Sequence, residues 1–217
     1  MIAQAIDSAA TTSVPASAVR RHLVLASASE ARHRLLAAAG IDAEVLVAGV
    51  DESAIKDSLV SEGASPPEVA HALAELKAVR VSGRRPGALV IGADQVLVLD
   101  GRLLDKPVDM AAARAQLLAL RGREHELLSA VAVALDGQAI WRHLETAKLV
   151  MRPFSEAFLD DYLARAGEAV LGSVGAYQLE GLGAQLFARV RGDYFAVLGL
   201  PLLALLDFIR GHGAIAE

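Results

Sequence analysis

Asp94 stands inside the apolar run from Leu89 to Asp100, preceded by Leu89, Val90 and Ile91 and followed by Val96 to Leu99. A run of this length, rich in β-branched residues, reads as a buried strand. A carboxylate placed there is costly unless it has partners or a chemical role, so Asp94 is a candidate general base. Other residues could share a site with it. Ser27, Ser29 and Arg32 fall where a strand gives way to a helix. A helix N-terminus offers unpaired N–H groups, and an anion there would offset the unfavourable placement of Arg32 in the first turn. The bland alternative is a pair of capping serines beside a solvated arginine. Asp51-Glu52 ends a strand and could bind a divalent cation through oxygens, or simply form a solvated turn. Lys77 lies at the margin of an apolar helical stripe, where lysines often snorkel to water. Lys106 follows the Asp100-Gly101 turn, which would fold its segment back beside Asp94.

These residues need elements to hold them. His22–Ala26 reads as a short strand, followed by a helix over about 30–39 with Gly40 behind it. A second strand covers 44–48. Residues 53–65 are polar and read as a loop. Pro66-Pro67 opens a helix to about Val81, with Val69, Leu73, Leu76 and Arg80 on one face. Next come the Asp94 strand and its hairpin return, then a helix from Asp109 to Leu120. Strands over 127–135 and 139–151 follow, joined by an Asp136-Gly137 turn. A helix over 155–166, two glycine-rich segments at 175–187 and 192–201, a strand near 185–190 and a helix after Pro201 complete the chain. The glycines fit either close backbone approach to a ligand or bulges and tight turns. Interleaved strands and helices argue an α/β fold.

Composition limits what this fold can be. The chain has 217 residues, a net charge of −5, 54% hydrophobic residues but only 4% aromatics, and no cysteine. The core is therefore aliphatic, and disulfides and thiolate metal sites are excluded. No strongly basic face recommends nucleic acid or an anionic membrane as partner. No stretch is long and apolar enough to predict a membrane span. Residues 1–20 lack the pattern of a secretory signal and read as a flexible extension before a single domain over 21–213. His125-Glu126 is not part of an H-E-x-x-H motif, and no phosphate loop of the Walker type occurs.

Several segments together resemble the Maf family of nucleoside triphosphate pyrophosphatases. They are LVLASASEARHRLLAAAGI (23–41), VDE (50–52), the helix bearing Lys77, VIGADQVLVLDGRLLDKP (90–107), LRGREHELLSAVAV (120–133) and the two glycine-rich segments. The resemblance implies a Maf/ITPase-like fold: a central mixed, twisted sheet flanked by helices, with two lobes around a nucleotide cleft. It implies hydrolysis of a triphosphate to the monophosphate and pyrophosphate by a cytoplasmic enzyme. Asp94 would activate water, Ser29, Arg32, Lys77 and Lys106 would line the phosphate path, and Glu52 with Asp94 would hold magnesium or manganese. Ala31, Gln95 and Glu180 occupy positions tied to base choice. Gln95 and Glu180 resemble the branch acting on 7-methyl-GTP, whereas Ala31 fits neither that branch nor the dTTP/UTP type. The family usually carries Pro, then Arg or Trp, where this chain has Glu30-Ala31. That departure keeps a non-catalytic nucleotide-binding regulator linked to division as the alternative. A homodimer would fit the family.

Overall fold

A computed structural model describes residues 21–216, so the expected extension over 1–20 lies outside the described residues. One seven-stranded mixed sheet runs in the order β2-β1-β3-β5-β6-β7, with β4 attached to β3. Its strands are β1 (Leu23–Leu25), β2 (Glu44–Val45), β3 (Leu89–Leu99), β4 (Arg102–Leu104), β5 (Glu124–Leu135), β6 (Gln138–Met151) and β7 (Phe187–Arg191). β1 runs parallel to β2 and β3, and the remaining pairs are antiparallel. The hairpins β3–β4 and β5–β6 turn at Asp100-Gly101 and Asp136-Gly137. All four residues have positive φ, at 49°, 77°, 49° and 80°, as the primed turns favoured between twisted strands require.

Helices cover both faces. They are α1 (Glu30–Ala38), α2 (Glu52–Ser61), α3 (Pro66–Ser82), α4 (Met110–Leu120), α5 (Glu156–Ala166), a short α6 (Tyr194–Val197) and α7 (Leu202–Gly211). Side chains alternate along β3. Val96 and Val98 pack with α3, whereas Leu89, Ile91 and Ala93 pack with α1 and α7, and Leu97 and Leu99 with α4 and α5. On that second face, therefore, two separate apolar clusters meet β3, and Gln95 falls between them. Among the described residues no helix is long and apolar enough to cross a membrane.

Two expectations change here. The segment after Glu52 is a helix, α2, and not a loop. It buries no residue fully, which weakens its signal, but Ile55 and Leu59, four apart, pack toward the α3 cluster. In α3 the buried face is Val69, Ala70, Leu73, Ala74, Lys77, Ala78, Val81 and Ser82, so Val69 and Leu73 lie on it as expected, whereas Leu76 is half-buried and Arg80 exposed. Lys77 therefore sits within the interface rather than at its margin. The alanines let α3 lie close against β3, where Gly92 completes the contact. A Cβ on Gly92 would stand 2.2 Å from the Ala74 carbonyl oxygen and 2.6 Å from the Ala78 nitrogen.

Candidate active site

The sheet itself opens the site. On one edge of β3, β1 pairs with Leu89–Ile91 and β4 pairs with Leu97–Leu99. Among the described residues, the stretch between them, from Gly92 to Val96, has no strand on that side. Divergence of two neighbouring strands leaves backbone groups to be satisfied by other means and creates a crevice. The Ala93 carbonyl in this gap accepts hydrogen bonds from Arg32 Nη1 at 2.9 Å and Lys77 Nζ at 3.5 Å. A cleft of about 750 Å³ forms at the gap, within the size range of small-molecule sites. Ser29, Ala31, Arg32, Glu52, Lys77, Asp94, Gln95, Lys106 and Glu180 all line it.

Asp94 is buried, at 6% exposure, and so is Lys77, at 4%. The close contact of α3 with Gly92 brings Lys77 Nζ to 2.7 Å from Asp94 Oδ1. The same ammonium lies 2.9 Å from Glu52 Oε1. Lys77 thus bridges the two carboxylates at charge-assisted distances. Asp94 Oδ2 accepts no hydrogen bond among the described residues, which leaves one carboxylate oxygen for the cleft. Asp51, the neighbour of Glu52 and a candidate cation ligand by sequence, instead serves the backbone. It is the N-cap of α2 and accepts from the Ala54 N–H at 3.1 Å.

Ser29, not Ser27, is the N-cap of α1, accepting from the Arg32 N–H at 3.4 Å. Ser27 is buried and accepts from Ser29 N and from Arg32 Nη1. Arg32 is buried rather than solvated. Its Nε donates to the Gly199 carbonyl at 2.7 Å, so it links the end of β1, the gap in β3 and the loop after α6. Burial lowers the Arg32 pKa, and attraction to Asp94 and Glu52 works against that. The guanidinium is therefore part of the frame of the cleft as well as a charge within it.

Gln95 pairs across the ladder with Ser129. Its Nε2 donates to Ser129 Oγ at 2.9 Å and to the carbonyls of Ala196 and Val197 at 3.0 and 3.1 Å. The amide is thus committed to α6, and its Oε1 lies beside Gly199, where an added Cβ would meet it at 3.7 Å. Glu180 lies across the cleft wall from α1, with Oε1 3.7 Å from Arg34 Nη2. Among the glycine-rich segments, Gly175 and Gly183 serve protein packing. A Cβ at Gly175 would strike the Tyr177 ring, and one at Gly183 the Gln178 carbonyl, each at 2.4 Å.

Lys106 departs from expectation. β4 ends at Leu104, opposite Leu97, and the chain leaves the sheet before Lys106. Lys106 is exposed on the cleft rim instead of lying on a strand beside Asp94. The sequence motifs also pass over Lys56. It lies one helical turn after Glu52 on α2 and lines the cleft, a spacing that becomes meaningful only once α2 is known to be a helix.

Comparison with known sequences identifies the family of this chain. A family profile described as "Maf-like protein" matches residues 22–212. The chain is 62% identical over 192 residues to the "Nucleoside triphosphate pyrophosphatase" of Paramagnetospirillum magneticum, covering 88% of this chain and 99% of that one. It is 57% identical over 193 residues to the protein of the same name from Caulobacter vibrioides, covering 89% and 96%. It is 50% identical over 193 residues to the "7-methyl-GTP pyrophosphatase" of Mesorhizobium japonicum, covering 89% and 97%. The chain belongs to the Maf family.

Proposed function

We propose that this protein is a hydrolase that cleaves nucleoside triphosphates to the monophosphate and pyrophosphate. The observation that carries the reading is the buried Asp94–Lys77 pair in the gap of β3, with the more exposed Glu52 on the same ammonium and further cations lining the cleft. Asp94 Oδ2 takes a proton from water. The water oxygen bonds to the α-phosphorus as the bond from that phosphorus to the β-bridging oxygen breaks, and pyrophosphate leaves with the electron pair. Ser29, Arg32, Lys77 and Lys106 hold the phosphate oxygens.

Charge argues for a divalent metal. The cleft is lined by four basic side chains (Arg32, Lys56, Lys77, Lys106) and five acidic ones (Glu30, Glu52, Asp94, Asp105, Glu180). Such a surface repels a polyanion unless positive charge comes with it. Among the described residues no group of three or more His, Asp or Glu could hold a metal ion. Two carboxylates, Glu52 and Asp94, with phosphate oxygens and waters completing the shell, suit magnesium, which is usually held this way. When bound, the metal supplies charge neutralisation at the phosphates.

For the base, Glu180 supports 7-methylguanine over a neutral base, because a carboxylate accepts from the ring N–H and amino group and attracts the cationic ring. Ala31 leaves that wall of the cleft open. The test is the purified protein with a panel of canonical and methylated triphosphates, with magnesium and with a chelator. Pyrophosphate release that needs the metal is expected, and Asp94→Asn should abolish turnover while nucleotide binding survives. No release from any triphosphate would refute the reading, and retained turnover in Asp94→Asn would remove Asp94 from the base role.

A further inference from the structure

Of the four cations in the cleft, three are heavily committed or distant from the acid pair. Lys77 is shared by two carboxylates, Arg32 is bonded to two backbone carbonyls and Ser27, and Lys106 is exposed at the rim. Lys56 differs from all of them. Its side chain is 13% exposed, yet its ion-pair partner, Asp105, is 67% exposed. The pair joins α2 to the loop between β4 and α4, whose backbone is pinned where Gln116 Nε2 donates to the Asp105 carbonyl at 2.8 Å. A pair serving only to tie two surface elements needs no buried ammonium, since exposed ion pairs contribute little. Burial lowers the Lys56 pKa, and attraction to Asp57, Asp94 and Glu52 works against that.

We propose that Lys56 is a further substrate-binding residue, gripping the pyrophosphate end of the triphosphate and surrendering Asp105 as it does so. The placement assigns the end. Ala31, Gln95 and Glu180 lie on the wall built from α1, the end of α6 and the glycine-rich segment, and Lys56 lies on α2, on the side of Glu52. A nucleotide with its base toward the first wall and its α-phosphorus at Asp94 runs its β- and γ-phosphates toward α2. Exchange of partners costs little, because Asp105 is already mostly in water and an oxyanion replaces a carboxylate at the ammonium. This inference rests on the reading of the cleft as a triphosphate site.

The test is calorimetric titration of the full chain with pyrophosphate and magnesium, so that binding is read independently of turnover. Lys56→Met should weaken pyrophosphate binding about tenfold, the loss of one charge-assisted contact, and Lys56→Arg should restore most of it. Asp105→Asn should bind pyrophosphate more tightly, because no pair must be broken. A merely structural tie predicts instead that Lys56→Met and Asp105→Asn change in the same direction, since both lose the same ion pair. That result, or unchanged binding in Lys56→Met, would overturn the proposal. If Lys56→Met does not fold, Asp105→Asn decides alone: tightening supports the proposal, and weakening or no change overturns it. Wild-type protein that binds no pyrophosphate also overturns it. Wild-type protein that binds pyrophosphate through Lys56 but hydrolyses no triphosphate would leave the inference standing and refute the hydrolase reading.

Discussion

Replacing Gly92 by alanine would test whether the packing of α3 on β3 sets the chemistry of the cleft. The added Cβ would lie 2.2 Å from the Ala74 carbonyl oxygen, 2.6 Å from the Ala78 nitrogen and 2.9 Å from the Ala78 Cβ. Two of these neighbours are backbone, so no side chain can swing away, and the closest contact is about 1 Å short of van der Waals separation. The helix must move. Overpacking of this kind costs about 1–3 kcal/mol, which in a domain of this size lowers the melting temperature by roughly 2–12 °C. A shift of α3 also carries Lys77 away from Asp94, and the present 2.7 Å contact leaves little slack. Displacements near 1 Å at a reacting group can lower turnover about a hundredfold. Scanning calorimetry and initial-rate kinetics on Gly92→Ala would read both effects. The control is Gly211→Ala at the end of α7, where an added Cβ meets nothing within 4 Å and a gain of up to about 1 kcal/mol is expected. A Gly92→Ala protein with wild-type melting and wild-type turnover would refute the claim that this contact positions the site.

His125 should make stability depend on pH. It is 2% exposed, its Nε2 lies 2.7 Å from Tyr177 Oη, and its Nδ1 is buried with no partner among the described residues. Burial lowers its pKa to about 4, against about 6.5 in the unfolded chain. Between these values the unfolded state takes a proton that the folded state refuses. Its contribution is therefore full above about pH 6.5 and falls by up to about 3 kcal/mol as pH drops toward 4. Denaturant unfolding of wild type and His125→Phe across that window should show a steeper decline in the wild type, and parallel curves would discard the assignment. Glu180→Gln should lower the preference for 7-methyl-GTP over GTP by about tenfold, the loss of a charge-assisted contact. An unchanged ratio of kcat/KM values would show that Glu180 does not read the base.

The apolar run around Asp94, the two Asp-Gly hairpins and the capped helices are legible in the sequence because each rests on local chemistry. Strand period, positive φ at the turn and a side chain accepting from the first helical turn all leave a mark within a few residues. Lys77 is hard to place for the opposite reason. Whether a lysine at the edge of an apolar stripe snorkels or points inward depends on Gly92, which is fifteen residues away in sequence and admits the helix to close range. Arg32 stays open between an anion-binding and a solvated side chain in the sequence because its partners, the carbonyls of Ala93 and Gly199, become available only through the gap in β3 and the loop before α7. The gap itself is a property of three strands together. Nothing local to Leu104 says that β4 will leave the sheet before Lys106.

The substitution of Glu30-Ala31 for the usual family residues takes on meaning from this frame. Glu30 is exposed in the first turn of α1, where a negative charge is favourable with the helix dipole. Ala31 lines the cleft with a methyl group that can neither donate nor accept a hydrogen bond, so its contribution there is one of shape. Arg32 contributes hydrogen bonds instead. Its removal would leave the Gly199 carbonyl without its side-chain donor and the Ala93 carbonyl with only the longer contact from Lys77, in a buried setting, at up to about 1–3 kcal/mol each. The three adjacent positions therefore answer to different demands: helix stability, the shape of the base-side wall, and the framework that keeps Asp94 in an open gap. A small alanine in place of Arg or Trp at position 31 removes bulk, or charge, without removing architecture. It leaves a cleft in which acidic side chains outnumber basic ones by one, so under the proposed function a divalent metal and the lysines would carry more of the burden of holding a triphosphate.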